Sequence, residues 1–234
     1  MSVFRFKEFE IFQANAALKV GTDAMIFGAF LNAEGKKCAL DIGAGTGVLS
    51  LMAAQRNKDL KIEAIEIEEA AIRDCLLNFE NSNWSKNLKL HNGDFLQFQF
   101  KKKFDIIFTN PPFYYNGLLS DSNAANLAKH NNALPFEKLF EKVAKLLSSC
   151  GDFWIIIPFE LESFILSLAS SVGLMEFQRI NVCSKPGRTS RLIFCFSNTV
   201  KSRKEESFTI RDASGKYTQE YKVLTQDFHG ITVQ

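Results

Sequence analysis

Seven short runs of β-forming apolar residues, at 38–42, 62–66, 88–91, 104–109, 153–158, 176–182 and 192–197, alternate with stretches of helical periodicity. This alternation constrains the fold more than any other property of the chain. A strand reaches a parallel neighbour only through a crossover of a dozen or so residues. Helical patterns at 46–56, 68–81, 136–149 and 160–171 supply such crossovers. The run Phe104-Asp105-Ile106-Ile107-Phe108-Thr109 is apolar almost throughout, as a strand covered on both faces must be. The expectation is an α/β fold: a seven-stranded, mainly parallel sheet with helices on both faces. Only residues 184–191 separate the last two runs, so the last strand is expected to run antiparallel, in a hairpin at the sheet's end. A helix at 22–31 after an irregular segment precedes the sheet. An edge strand at 207–211 and a short helix at 220–228 follow it. The reading is one domain over 1–234, with an N-terminal extension (1–35), a core (36–198) and a C-terminal addition (199–234).

Composition narrows the class. Hydrophobic residues make up 46% of the 234, enough for an extensive core. No apolar run approaches the length of a membrane span, and charges interrupt the first dozen residues where a signal peptide would be continuous. A cytoplasmic protein without membrane contact is expected. Cys38, Cys75, Cys150, Cys183 and Cys195 are scattered without a CxxC pair, which favours free thiols over a metal site. No metal is expected. A net charge of +2 neither demands nor excludes a nucleic acid. Local basic clusters at 101–103, 185–191 and 201–204 can each meet phosphates or stand as solvated loops.

Asp41-Ile42-Gly43-Ala44-Gly45-Thr46-Gly47 follows the first apolar run and opens a helix. Glycines there allow a tight turn and close approach of a ligand to the backbone. In open α/β sheets, ligands bind at the carboxyl ends of the strands. Glu66 ends the second run, where a carboxylate can accept from ribose hydroxyls. Asp94 follows the third; it can accept from an adenine amino group while Phe95 packs on the ring. Taken singly, each acid reads equally as a surface residue or a helix cap. Together, at successive strand ends, they fit an adenosyl ligand. Nothing resembles a Walker lysine, which disfavours a triphosphate.

Asn110-Pro111-Pro112-Phe113 directly follows the fourth run. Two prolines lock φ and remove two donors. The Asn110 side-chain oxygen and the Pro111 carbonyl can each accept one N–H of a planar NH2 group, and Phe113 can stack on its plane. An exocyclic amine is a poor nucleophile because its lone pair is delocalised. Holding both N–H bonds orients the lone pair and stabilises the charge that develops on nitrogen. A stiff strand-ending turn without chemistry is the alternative.

Asp41 to Gly47 and Asn110 to Phe113 resemble the cofactor and catalytic motifs of class I N-methyltransferases, with their Rossmann-like fold. Phe4-Arg5-Phe6-Lys7-Glu8-Phe9, Lys19-Val20-Gly21-Thr22-Asp23-Ala24 and the stretch from Tyr217 to Phe228 are similar to the bacterial tRNA1(Val) (adenine-37-N6)-methyltransferase family. The resemblance implies S-adenosyl-L-methionine as cofactor and a tRNA adenine, flipped from its loop, as substrate. It implies that Gly43, Ala44, Gly45 and Gly47 line the cofactor, with Asp41 beside them. Glu66 and Ile67 would meet its ribose side, and Asp94 and Phe95 its adenine. Thr22 and Asp23 would close over the methionine end near Lys19. Asn110 would lie between cofactor and base. Arg5, Lys7, Lys185, Arg188 and Arg191 are the expected contacts to RNA phosphates. The Lys129-His130 pair lies where relatives carry basic residues. A monomer or weak dimer is expected.

Three other readings remain at this point. One is N-methylation of a glutamine amide in a translation factor, although only about 20 residues precede Gly21, where such enzymes carry a helical domain. Another is methylation of a different RNA adenine or guanine, or of DNA. The third is a module that binds cofactor or RNA without turnover.

Overall fold

The computed structural model describes residues 2–111 and 134–229. A hairpin of β1 (Val3–Arg5) and β2 (Glu10–Phe12) comes first, then helix α1 (Thr22–Phe30). Next stand β3 (Cys38–Ile42), α2 (Val48–Arg56), β4 (Lys61–Glu66), α3 (Glu69–Glu80), β5 (Leu88–Asn92) and β6 (Phe104–Thr109). After residue 133 come α4 (Phe136–Leu146), β7 (Leu147–Pro158), α5 (Glu162–Ser171), β8 (Met175–Lys185), β9 (Arg188–Ser197), β10 (Lys204–Thr209) and α6 (Gln219–Thr225).

The strands β3 to β10 form one sheet in the order β10-β8-β9-β7-β6-β3-β4-β5. All pairings are parallel except those of β9, which inserts antiparallel between β7 and β8. Side-chain alternation divides the core in two. In β7, Trp154 and Ile156 face a cluster shared with α1, α2, α3 and α6. Phe153, Ile155 and Ile157 face a second cluster with α4 and α5. On α4, Phe136, Leu139, Phe140 and Val143 form the buried stripe that a 3.6-residue period produces. The strand order turns back on itself at β3, which has β4 and β5 on one side and β6 and β7 on the other. The crevice above such a reversal is where open α/β sheets bind ligands.

The sheet has eight strands rather than the expected seven. The eighth is the edge strand expected at 207–211: as β10 it starts earlier, at Lys204, ends at Thr209 and pairs parallel with β8. Lys204 to Ser207 are exposed and Phe208 is buried, so the first residues of this edge strand leave no apolar signal. The expected loop at 184–191 is mostly strand. Only Pro186 and Gly187 turn, with Lys185 paired to Arg188 and Gly187 at a φ of 75°. Proline then glycine at the two central positions is the pattern of a type II turn. The helix expected to reach 149 stops at Leu146, and the β1–β2 hairpin stands where an irregular segment was expected. Three-residue strands are too short to show a period.

Candidate active site

Because β3 ends at the reversal, Gly43 emerges between β4 and β6 at the carboxyl edge of the sheet. The backbone N–H groups of Gly43 and Ala44 donate to the Ile65 carbonyl at 2.9 and 3.2 Å, and Gly47 N–H donates to the Ala44 carbonyl at 2.8 Å. The three glycines take positive φ values of 70°, 57° and 80°. Their surroundings separate them. Among the described residues, a Cβ on Gly43 or Gly45 would meet no atom within 4 Å, whereas one on Gly47 would stand 2.5 Å from Phe79 Cε1 and 2.9 Å from Cys75 Sγ. Gly43 and Gly45 thus leave open space beside the turn, and Gly47 lets α3 pack against it.

Glu66 holds this turn together. Its Oε2 accepts from Gly45 N–H at 2.8 Å, and its Oε1 accepts from the N–H groups of Ile67 and Glu68 at 2.8 and 2.9 Å. Three of the roughly four acceptor sites of a carboxylate are thereby used, and one remains. Ile67, beside it, is 62% exposed, unusual for so large an apolar side chain at a strand end. Asp41 stands behind the turn, fully buried. Ser50 Oγ donates to its Oδ2 at 2.7 Å, fastening α2 to β3, while Oδ1 has no partner among the described residues. Burial, reinforced by the nearby Glu66 charge, pushes the Asp41 carboxyl up to about 7, against the lowering effect of the Ser50 bond.

At the end of β5, Gly93 N–H donates to the Glu66 carbonyl at 2.9 Å, which sets the next acid beside the last. Asp94 Oδ1 accepts from Leu96 N–H at 2.8 Å. Phe95 is not laid open over the crevice. Its ring is buried in the second core cluster, with Lys142 Nζ 5.0 Å from its centroid.

The strand β6 pairs with β3 so that Thr109 lies opposite Ile42, and Thr109 Oγ1 donates to the Ile42 carbonyl at 2.8 Å. Asn110 and Gly43 therefore leave adjacent strands side by side, separated by about one strand spacing of ~4.8 Å. Asn110 is half-buried and Pro111 buried. Pro112 and Phe113 lie outside the described residues, as do Lys129 and His130.

The expected basic residues divide between the two edges of the sheet. β8 runs parallel to the central strands, so the turn after Lys185 lies on the same edge as the glycine turn. Lys185 and Arg188 make no side-chain bond among the described residues. Arg191 is engaged: its Nε donates to Asp23 Oδ2 at 2.9 Å, joining β9 to the start of α1. Thr22, next to Asp23, is exposed. Arg5 and Lys7 sit elsewhere, at the tip of the β1–β2 hairpin. Phe9 in that tip packs edge-on against Trp84, just past the end of α3, at the amino edge. Arg5 is paired with Glu10 at 2.9 Å. Lys102 is bonded to Glu63, and Lys201 to Asp152, on the same distant edge.

Asp74 and Asn78 were not anticipated. Both are buried on α3, where Asp74 accepts from the N–H groups of Asn15 and Ala16 and from the Asn15 amide. Asn78 exchanges bonds with Phe12 N–H and carbonyl and also donates to the Thr46 carbonyl at 2.8 Å. The segment leading into α1 is thereby stitched to the glycine turn. Two polar residues four apart on an otherwise apolar helical stripe were the available signal. Among the described residues no three His, Cys, Asp or Glu side chains gather as a metal site, and no helix is long and apolar enough to cross a membrane.

Comparison with known proteins gives a consistent result. The model of the methyltransferase small domain matches residues 11–178. The tRNA1(Val) (adenine(37)-N6)-methyltransferase of Bacteroides thetaiotaomicron is 36% identical over 228 residues, covering 97% of this chain and 96% of its own. That of Flavobacterium psychrophilum is 36% identical over 231 residues, covering 97% and 99%. Among solved structures, an Agrobacterium tumefaciens protein described as a predicted O-methyltransferase superposes with a TM-score of 0.64 at 16% identity, covering 88% of this chain and 96% of its own. A glycopeptide N-methyltransferase, solved with S-adenosyl-L-methionine, superposes with a TM-score of 0.55 at 11% identity, covering 76% and 93%. At such identities the structural likeness concerns the fold alone.

Proposed function

The chain belongs to the tRNA1(Val) (adenine(37)-N6)-methyltransferase family, within the methyltransferase small domain group, and on that premise we propose that it methylates N6 of adenine 37 in a valine tRNA. It is an enzyme, and S-adenosyl-L-methionine is its cofactor. The observation that carries this reading is the side-by-side exit of Asn110 and Gly43 at the reversal of strand order, which brings the Asn110-Pro111 pair, with its two carbonyl acceptors, beside the glycine turn.

The residues present fit this cofactor. Gly43 and Gly45 leave room where side chains would stand, Glu66 keeps an unused acceptor site for a ribose hydroxyl, and Ile67 exposes an apolar surface suited to a purine face. Asp41, Ala44, Asp94 and Phe95 support the turns around that space, and Thr22 and Asp23 stand at the head of α1 on the same edge. When bound, the cofactor supplies an electrophilic methyl group on a sulfonium. The chain's part is orientation. The Asn110 side-chain oxygen and the Pro111 carbonyl accept the two N–H bonds of the adenine amine, and Pro112 and Phe113 complete the grip. Loss of the aromatic amine's delocalisation is offset by these bonds, and the surplus proton is acidic enough to leave to water.

Lys185 and Arg188 are the residues we assign to the tRNA backbone on this edge, with Arg191 behind them; Arg5 and Lys7 would touch only a more distant part of the RNA. We infer a monomer or a weak dimer, and a tRNA substrate implies a cytoplasmic reaction. The test is transfer of labelled methyl to unmodified valine tRNA followed by nucleoside analysis. N6-methyladenosine at position 37 is expected, and Asn110→Ala should abolish it while cofactor affinity is retained. An active Asn110→Ala enzyme would refute the assigned grip.

A further inference from the structure

Among the described lysines, only Lys142 turns its ammonium onto the main chain. From α4 its Nζ donates to the carbonyls of Phe95, Leu96 and Phe98 at 2.6, 3.1 and 2.6 Å, so all three of its N–H bonds are used. The same ammonium lies 5.0 Å from the Phe95 ring centroid and 6.0 Å from that of Phe100. Those carbonyls belong to the turn that Asp94 opens. Within it, Asp94 Oδ1 accepts from Leu96 N–H, and the Asp94 carbonyl accepts from the N–H groups of Gln97 and Phe98. Asp94 Oδ2 makes no hydrogen bond among the described residues.

We propose that Lys142 is a positioning residue: it fixes the aim of Asp94 and thereby sets the affinity of the cofactor site and its selectivity for a 6-aminopurine. The proposal rests on the reading that Asp94 accepts from the adenine amino group. A connection such as 93–103 ordinarily gives its carbonyls to water and keeps freedom to splay. Here three of them are tied to α4, which is itself anchored in the core by Phe136, Leu139, Phe140 and Val143. The charge acts alongside the bonds. Burial pushes the Lys142 ammonium below the usual lysine range, and the Asp94 carboxylate opposes that shift. An immobile acceptor discriminates sharply, because a 6-oxopurine would set a second acceptor against it.

The experiment measures binding of S-adenosylmethionine and of its 6-oxopurine counterpart by calorimetry, together with steady-state kinetics, in the wild type, Lys142→Met, Lys142→Arg and Asp94→Asn. For Lys142→Met, affinity for the natural cofactor should fall on the order of tenfold, as for loss of one charge-assisted hydrogen bond. The preference for the 6-amino over the 6-oxo form should fall with it. At saturating cofactor, kcat and the KM for tRNA should stay within about twofold of wild type. Lys142→Arg, which keeps charge and donors, should restore most of the affinity. Unchanged cofactor affinity in Lys142→Met overturns the proposal, as does an equal loss for both purines, which would mark Lys142 as mere scaffolding. If Asp94→Asn also leaves affinity unchanged, the reading of Asp94 has failed and the proposal falls with it. If Asp94→Asn weakens binding and Lys142→Met does not, only the role of Lys142 falls. Should Lys142→Met not fold, Lys142→Gln keeps two donors without charge and is expected to lose an intermediate share of both affinity and selectivity, with the same outcomes deciding.

Discussion

Replacing Asp41 by Asn should change the pH dependence of stability in a direction opposite to ordinary acid denaturation. The Asp41 carboxyl is fully buried with one oxygen unpartnered, and it titrates near 7 in the folded chain against 3.8 for a free aspartate. A rise of about three pKa units corresponds to ~4 kcal/mol. The folded state holds this proton over a pH range in which the unfolded chain has already released it. The contribution is therefore fully present below about pH 4 and is lost as pH rises through 7. Above that, the folded protein carries a buried charge. Asn keeps an oxygen to accept from Ser50 Oγ and has no charge to bury. Chemical denaturation of the cofactor-free wild type and Asp41→Asn across this range isolates the Asp41 carboxyl together with its interaction with Glu66, because groups distant from it cancel in the difference. Between about pH 4.5 and 7.5 the wild type should lose about 3 kcal/mol relative to the variant. A difference that stays flat with pH, or that rises, would show that Asp41 is ionised throughout and that burial does not govern it.

Two further outcomes follow from placement. Lys185→Glu with Arg188→Glu should raise the KM for tRNA, and the increase should shrink at high salt, with cofactor affinity unchanged; an unaltered KM would remove the β8–β9 turn from the RNA contact. Leaving Arg191 intact in that variant matters, because it is bonded to Asp23. Gly47→Ala and Gly45→Ala should separate packing from binding. Both impose a left-handed conformation costing about 1–2 kcal/mol, but only at Gly47 does the new Cβ collide with Phe79 and Cys75, adding about 1–3 kcal/mol in a thermal melt. Gly45→Ala should instead show its larger effect in cofactor titration. Equal stability losses would contradict the geometry around the turn.

The local signals that survive folding unchanged were legible in the chain itself. Apolar runs alternating with helical periods specify a mainly parallel sheet, because burial on both faces leaves no other arrangement for a run such as 104–109. The strand-end positions of the glycine turn, Glu66, Asp94 and Asn110 were legible because each ends or closely follows an apolar run. The tertiary structure decided the rest. Identical glycines acquired different surroundings, so that Gly43 and Gly45 face open space and Gly47 faces α3. Three similar basic clusters were sorted by sheet direction, with only the β8–β9 turn on the edge of the reversal. Arg191 met Asp23 across 168 positions of sequence, and Lys142 met the Asp94 turn across more than 40. The edge strand expected from 207 begins at Lys204, because its exposed first residues depend on β8 for their backbone hydrogen bonds and bury nothing that would announce them. Periodicity and turn chemistry arise from interactions within a few residues. Which carbonyl a lysine reaches, or which edge a loop occupies, depends on strand order, and strand order is fixed only when the whole sheet has been assembled.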